Sequence, residues 1–292
     1  MVKLDKIEFY ITNVCNLTCS GCNRFNDIKF AGSQRWEHYA DAYEKWGRHV
    51  WMQHSVILGG EPLLNPTILD WIKGIYTIWP DSWHQVLTNG SYLDRIDGLM
   101  ETCLEYHTWV GISKHRSDNL EALEAKIERY LGDISEKKYS PEGVAGPAGG
   151  NYYYKNAKGA QIYMWDQYTF SQSALITKPN GKYTLHNSDP EKAHSICPIA
   201  QHKSYHFIKG KLYKCGPVAL FPELDEQFGL ELSDEDKDVM RSYSPLLVDE
   251  FETRGADFLA TINNVIPQCK FCPDSYNWNT IAPLTKGSKK LI

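Results

Sequence analysis

Seven of the eight cysteines in this sequence fall in two groups whose spacing suits metal chemistry. Cys15, Cys19 and Cys22 form CxxxCxxC. Three thiolates on one short loop can hold three corners of a cubane iron–sulfur cluster and leave the fourth iron open to a ligand. A structural zinc normally takes four ligands, and a histidine from elsewhere in the chain could complete such a site, so both readings stand at this point.

The second group is Cys197, Cys215, Cys269 and Cys272. Cys197, Gly210 and Cys215 are spaced C-x12-G-x4-C, and Cys269 and Cys272 form CxxC. Four thiolates saturate one zinc or one cluster. Gly210 falls in a hairpin turn, where a positive φ costs glycine little. Cys103 stands apart in a segment with helical spacing and reads as a small buried hydrophobe.

The rest of the chain must position these groups. Its 292 residues suffice for one large α/β domain and a small appendage, and 42% hydrophobic with 23% charged residues fits an ordinary globular protein. A net charge of −5 gives no general pull toward nucleic acid or an anionic membrane. No apolar run is long enough to span a bilayer, and the start Met1-Val2-Lys3-Leu4-Asp5-Lys6 lacks the apolar core of a secretory signal. These features place the chain in a reducing cytoplasm, where cysteines serve as ligands or buried thiols rather than disulfides.

Hydrophobic periodicity predicts strands over 6–12, 54–58, 84–88 and 107–113, and helices over 34–50, 66–79, 92–105 and 118–130. Strand and helix thus alternate four times, which implies a parallel sheet of the α/β class with active groups at the C-terminal strand ends. Those ends carry the cysteine loop, Gly59-Gly60-Glu61-Pro62, Thr88-Asn89-Gly90, and Ser113-Lys114-His115-Arg116. Residues 133–159 read as an irregular insertion, whose Tyr152, Tyr153 and Tyr154 could exclude water or simply pack. Residues 160–168 suit a fifth strand, and 174–186 and 205–215 read as hairpins. Ser233 with Asp236 suits a helix cap, 249–262 a helix, and the lysine-bearing end a loose tail.

At this point a resemblance becomes specific. CxxxCxxC after the first strand resembles the signature of the radical S-adenosylmethionine (SAM) superfamily, and Gly59-Gly60-Glu61-Pro62 looks like its GGEP motif. The resemblance implies a partial (β/α) TIM-like barrel of five or six parallel strands. It implies that SAM chelates the open iron of a 4Fe–4S cluster and is cleaved to a 5′-deoxyadenosyl radical, which takes a hydrogen atom from substrate. Gly59, Gly60, Glu61 and Pro62 would bind the methionine ammonium, and Thr88 and Asn89 match a motif often found after the third strand. Ser113 matches a ribose- or carboxylate-binding position. Many members carry an aromatic residue before the third cysteine, where this chain has Gly21, and Phe25 could compensate near the adenine.

The C-terminal cysteines resemble the twitch and SPASM extensions, which form a small β-hairpin/helix domain around auxiliary 4Fe–4S clusters. The three further cysteines of a full SPASM pattern are missing, so the twitch form with one auxiliary cluster fits. The resemblance implies three units: residues 1–170 as the barrel, 171–283 as the auxiliary-cluster domain and 284–292 as the tail. It implies an oxidation of dehydrogenase type, a reductant such as flavodoxin or ferredoxin, and a small-molecule or peptide substrate. Lys114, His115 and Arg116 are the candidate substrate contacts, beside a reading of them as a solvated loop. A peptide-modifying maturase is the alternative within the family, and a non-catalytic metal-binding scaffold is the alternative outside it.

Overall fold

The inner residues of the first strand alternate around Ile7 and Phe9, both fully buried, and that apolar face sets the direction of the sheet. In the computed structural model, which describes residues 1–115, 119–141, 150–167, 169–170, 174–275 and 279–280, nine strands form one mostly parallel sheet. β1 (Val2–Tyr10), β2 (Val50–Leu58), β3 (Trp83–Thr88), β4 (Thr108–Lys114) and β7 (Gln161–Asp166) pair in parallel in that order. β11 (Ser204–Ile208) adds in parallel to the other side of β1. The antiparallel hairpin β5 (Ile134–Ser140) and β6 (Asn151–Asn156) extends the sheet beyond β7. β12 (Lys211–Tyr213) closes the opposite side against β11. The sheet order runs from β12 to β5, and among the described residues these two edges do not pair with each other.

One face is covered by α1 (Ala40–Trp46), α2 (Ile68–Ile78), α3 (Leu99–Glu105) and α4 (Leu120–Leu131). In α2, Ile68, Trp71, Ile72 and Ile75 recur at helical spacing and are all buried against the sheet. Each such side chain contributes about 1.5–3 kcal/mol by leaving water. Cys103 lies in this same core, as its segment predicts.

Four expectations shift. The helix over 34–50 forms only as Ala40–Trp46, after a 3-10 turn at Trp36–His38, and Val50 already belongs to β2, where it pairs with Val2. The helix over 92–105 begins at Leu99, after Gly98 at φ 76. The 133–159 insertion contains β5, whose polar and largely exposed sequence disguises an edge strand, and the half-buried β6; residues 142–149, like the tail 284–292, lie outside the described residues. The 205–215 hairpin, read as part of the C-terminal unit, extends the main sheet through β11. The hairpin over 174–186 forms as β9 (Leu175–Thr177) and β10 (Tyr183–Leu185). Among the described residues, no helix is long and apolar enough to cross a membrane.

Candidate functional site

The loop after β1 is fixed by backbone pairing that outlasts the strands. Gly60 N–H donates to Thr12 O at 2.7 Å and Glu61 N–H to Val14 O at 2.8 Å. A Cβ on Gly59 would stand 2.4 Å from Thr12 O, and one on Gly60 would stand 2.4 Å from Val14 O. The close approach that these glycines permit is therefore to the cysteine loop itself. This close pairing holds Cys15, Cys19 and Cys22 beside the ends of β2 and β3, where they line a cavity of about 270 Å³ with Gly59, Gly60 and Asn89. Ser113 and His115 line the same cavity from the end of β4.

Donors surround the sulfurs. Leu17 N–H reaches Cys15 Sγ at 3.4 Å, and the side-chain amides of Asn89 and Asn26 approach Cys15 and Cys22 Sγ at 4.0 Å. Burial, with the nearby charges of Cys22 and Asp27, pushes the Cys19 thiol up to about 12. A thiol so reluctant to ionise gives up its proton when a metal replaces it.

Several of the expected ligand-binding residues are tied into the frame around the cavity. Glu61 is fully buried, and its carboxylate accepts from Leu63 N–H at 3.0 Å, Thr88 Oγ1 at 2.6 Å and Asn89 N–H at 2.8 Å. Burial lifts its carboxyl to about 7 against the pull of these donors. Glu61 thus clamps β2 to β3, while the buried Pro62 opens a short 3-10 turn, Pro62–Leu64; neither lines the cavity. Thr88 lines it, but its hydroxyl is engaged by Glu61 and by Gly90 N–H. Phe25 is fully buried, with ring centroids 6.4 Å from Phe30 and 5.9 Å from Phe221, and is not part of the lining.

The trio after β4 divides by strand alternation. Ser113 and His115 face the cavity, and His115 Nδ1 lies 3.1 Å from Gln167 O. Lys114 points to the other face and pairs with Asp166 at 2.7 Å, with both side chains buried. Arg116 lies outside the described residues. Tyr154 donates to Glu124 at 2.7 Å, Tyr153 packs on Tyr163, Tyr152 on Tyr139, and none lines the cavity.

Sequence reasoning missed Glu8, Arg24, Trp165 and Gln167, which also line the cavity. Glu8 was detectable as an acidic residue on the apolar strand KIEFYIT. Burial would raise its carboxyl, but His206, Lys6 and Arg24 outweigh that and hold it well below the ordinary carboxylate range. Arg24 and His206 both reach Glu8 Oε2, the latter at 2.8 Å, and Ser204 Oγ reaches Oε1 at 2.9 Å. A Cβ on Gly216 would stand 2.1 Å from Arg24 Nη1. The segment after Cys22 therefore touches the segment after Cys215.

Around the second group, Cys215 precedes α7 (Gly216–Phe228), a helix that Pro217 and Pro222 conceal in the sequence. Cys197 precedes the short α6 (Pro198–Gln201), and Cys269 lies in a 3-10 turn, Pro267–Phe271, with Cys272 next. All four cysteines line one small cavity of about 30 Å³ with apolar walls that include Val218, Phe221, Ile199 and Ile266. Burial pushes the Cys215 thiol up to about 12. Gly210 takes φ 71 at the turn, and its carbonyl accepts from Trp46 Nε1 at 2.9 Å. Among the described residues, no three His, Cys, Asp or Glu side chains converge closely enough to hold a single metal ion; the thiols surround two cavities instead.

No family model matches this chain, and no curated protein matches it. Among solved structures it is similar to BtrN, crystallised in complex with AdoMet and 2-DOIA, at 19% identity and a TM-score of 0.31. The match covers 39% of this chain and 47% of that one, about half its length.

Proposed function

We propose that this protein is a radical SAM enzyme with one auxiliary cluster, acting as an oxidoreductase of dehydrogenase type in the cytoplasm. The observation that carries the reading is the convergence of Cys15, Cys19 and Cys22 with Gly59, Gly60, Asn89 and Ser113, drawn from four strand ends, on one cavity. Two 4Fe–4S clusters are its cofactors with SAM; the first, when reduced, would supply the electron that cleaves SAM to methionine and a 5′-deoxyadenosyl radical able to take a substrate hydrogen. The donor set fits such a group: three thiols on one loop, N–H donors beside two of them, and a cavity larger than one ion requires.

In this reading Cys15, Cys19 and Cys22 hold the first cluster. The backbone of Gly59 and Gly60, Asn89 and Ser113 receive SAM. Glu61 and Thr88 act through one another to hold Asn89 in place. Cys197, Cys215, Cys269 and Cys272 hold the auxiliary cluster, and four thiolates leave it no open position, which suits passing electrons more than binding substrate. His115, Trp165 and Gln167 face the substrate, a small molecule or a peptide side chain. The six parallel strands, β11 among them, form the partial barrel, and the remainder of residues 171–283, with its four cysteines, supplies the auxiliary-cluster unit. A flavodoxin or ferredoxin supplies electrons.

Metal analysis of protein prepared without oxygen tests the cofactor assignment. The expected result is brown protein with about eight irons per chain, as two cubanes require. Colourless protein that holds zinc and no iron would favour the scaffold reading and end this one.

A further inference from the structure

Lys214 immediately precedes Cys215 and lines the cavity of the four C-terminal cysteines. It is 6% exposed. Its ammonium donates to Ile262 O at 3.1 Å and lies 3.4 Å from His194 Nε2. That imidazole nitrogen is 2.8 Å from Asn263 O, so its proton is directed at a carbonyl. Among the described residues no carboxylate stands within ion-pair reach of Nζ. The sulfur-bearing side chains of Cys197, Cys215, Cys269 and Cys272 line the same cavity. Tyr243 Oη accepts from the Lys214 backbone N–H at 2.9 Å and so fixes where the side chain begins.

A buried ammonium facing one carbonyl is costly unless an anion completes it. Four thiolates around a cubane supply one: the filled site is a dianion when oxidised and a trianion when reduced. An ammonium in the same apolar pocket stabilises the more negative state and raises the reduction potential. We propose that Lys214 is the built-in counter-ion of the second cysteine site and sets the reduction potential of the cluster held there. Lys214 is a positioning residue: it acts on the cluster's charge and touches no substrate. The proposal rests on the reading that these four cysteines hold an iron–sulfur cluster.

The test uses the full chain, loaded without oxygen, as wild type, Lys214→Met and Lys214→Arg. Each is reduced stepwise while electron paramagnetic resonance follows both clusters, with the one at Cys15, Cys19 and Cys22 as internal reference. Lys214→Met should shift the second midpoint to a more negative potential and leave the first unchanged, and Lys214→Arg should restore it. Loss of about half the iron in Lys214→Met but not in Lys214→Arg would also support the proposal, since the charge then holds the cluster. A fully loaded Lys214→Met with a wild-type second midpoint would overturn it. So would loss of the second cluster in both variants, which would mark a packing role. Failure of the underlying reading looks different: a variant with Cys197, Cys215, Cys269 and Cys272 replaced by serine would then hold as much iron as the wild type.

Discussion

Gly60→Ala should remove SAM binding and strip the first metal site while leaving the second filled. The methyl group would stand 2.4 Å from Val14 O, 2.7 Å from Val14 C and 2.9 Å from Asn26 Oδ1. Two of these three atoms are backbone, so relief requires the loop to move. Val14 is the residue before Cys15, and Glu61 N–H donates to Val14 O at 2.8 Å. Moving the loop breaks that bond and carries Cys15 away from Asn89, whose amide approaches its sulfur. Overpacking of this kind costs about 1–3 kcal/mol of stability, so the variant should still fold. The expected readings are about four irons per chain instead of about eight and no SAM retained in equilibrium dialysis. Full iron with unchanged SAM affinity would mean that the glycines do not control the cysteine loop.

Replacing Cys197, Cys215, Cys269 and Cys272 by serine should separate the two halves of the proposed chemistry. The four side chains line one cavity and no residue of the first cavity's lining is among them. Iron should fall from about eight to about four per chain. Cleavage of SAM to 5′-deoxyadenosine should survive, because it needs only the first site. Formation of oxidised product should be lost, because a hydrogen-abstracted substrate still holds one electron too many for a two-electron oxidation. Full product turnover in a folded variant of this kind would assign the four cysteines a structural role.

How far the sequence led depends on whether local pattern or long-range packing made the choice. The four βα units were legible because Ile68, Trp71, Ile72 and Ile75 recur at helical spacing and the strands are short apolar runs. Spacing also identified both cysteine groups, and the structure gathers each around one cavity. The surroundings of Glu61, Phe25 and Lys114 were not legible. Each is decided by which face or neighbour a side chain meets: Glu61 by the donors of Thr88 and Asn89, Phe25 by the Phe221 ring from α7, and Lys114 by Asp166 on β7. Arg24 was missed for the same reason, since Glu8 and Gly216, which confine it, lie far apart in sequence.

The most direct test of the central claim is 5′-deoxyadenosine formation. Protein reconstituted with iron and sulfide in the absence of oxygen would be given SAM and a strong reductant, and the product counted by mass spectrometry. The account predicts 5′-deoxyadenosine from the wild type and none from a variant with Cys15, Cys19 and Cys22 replaced by alanine. Equal formation by both proteins, or SAM that fails to bind an iron-replete wild type, would contradict it.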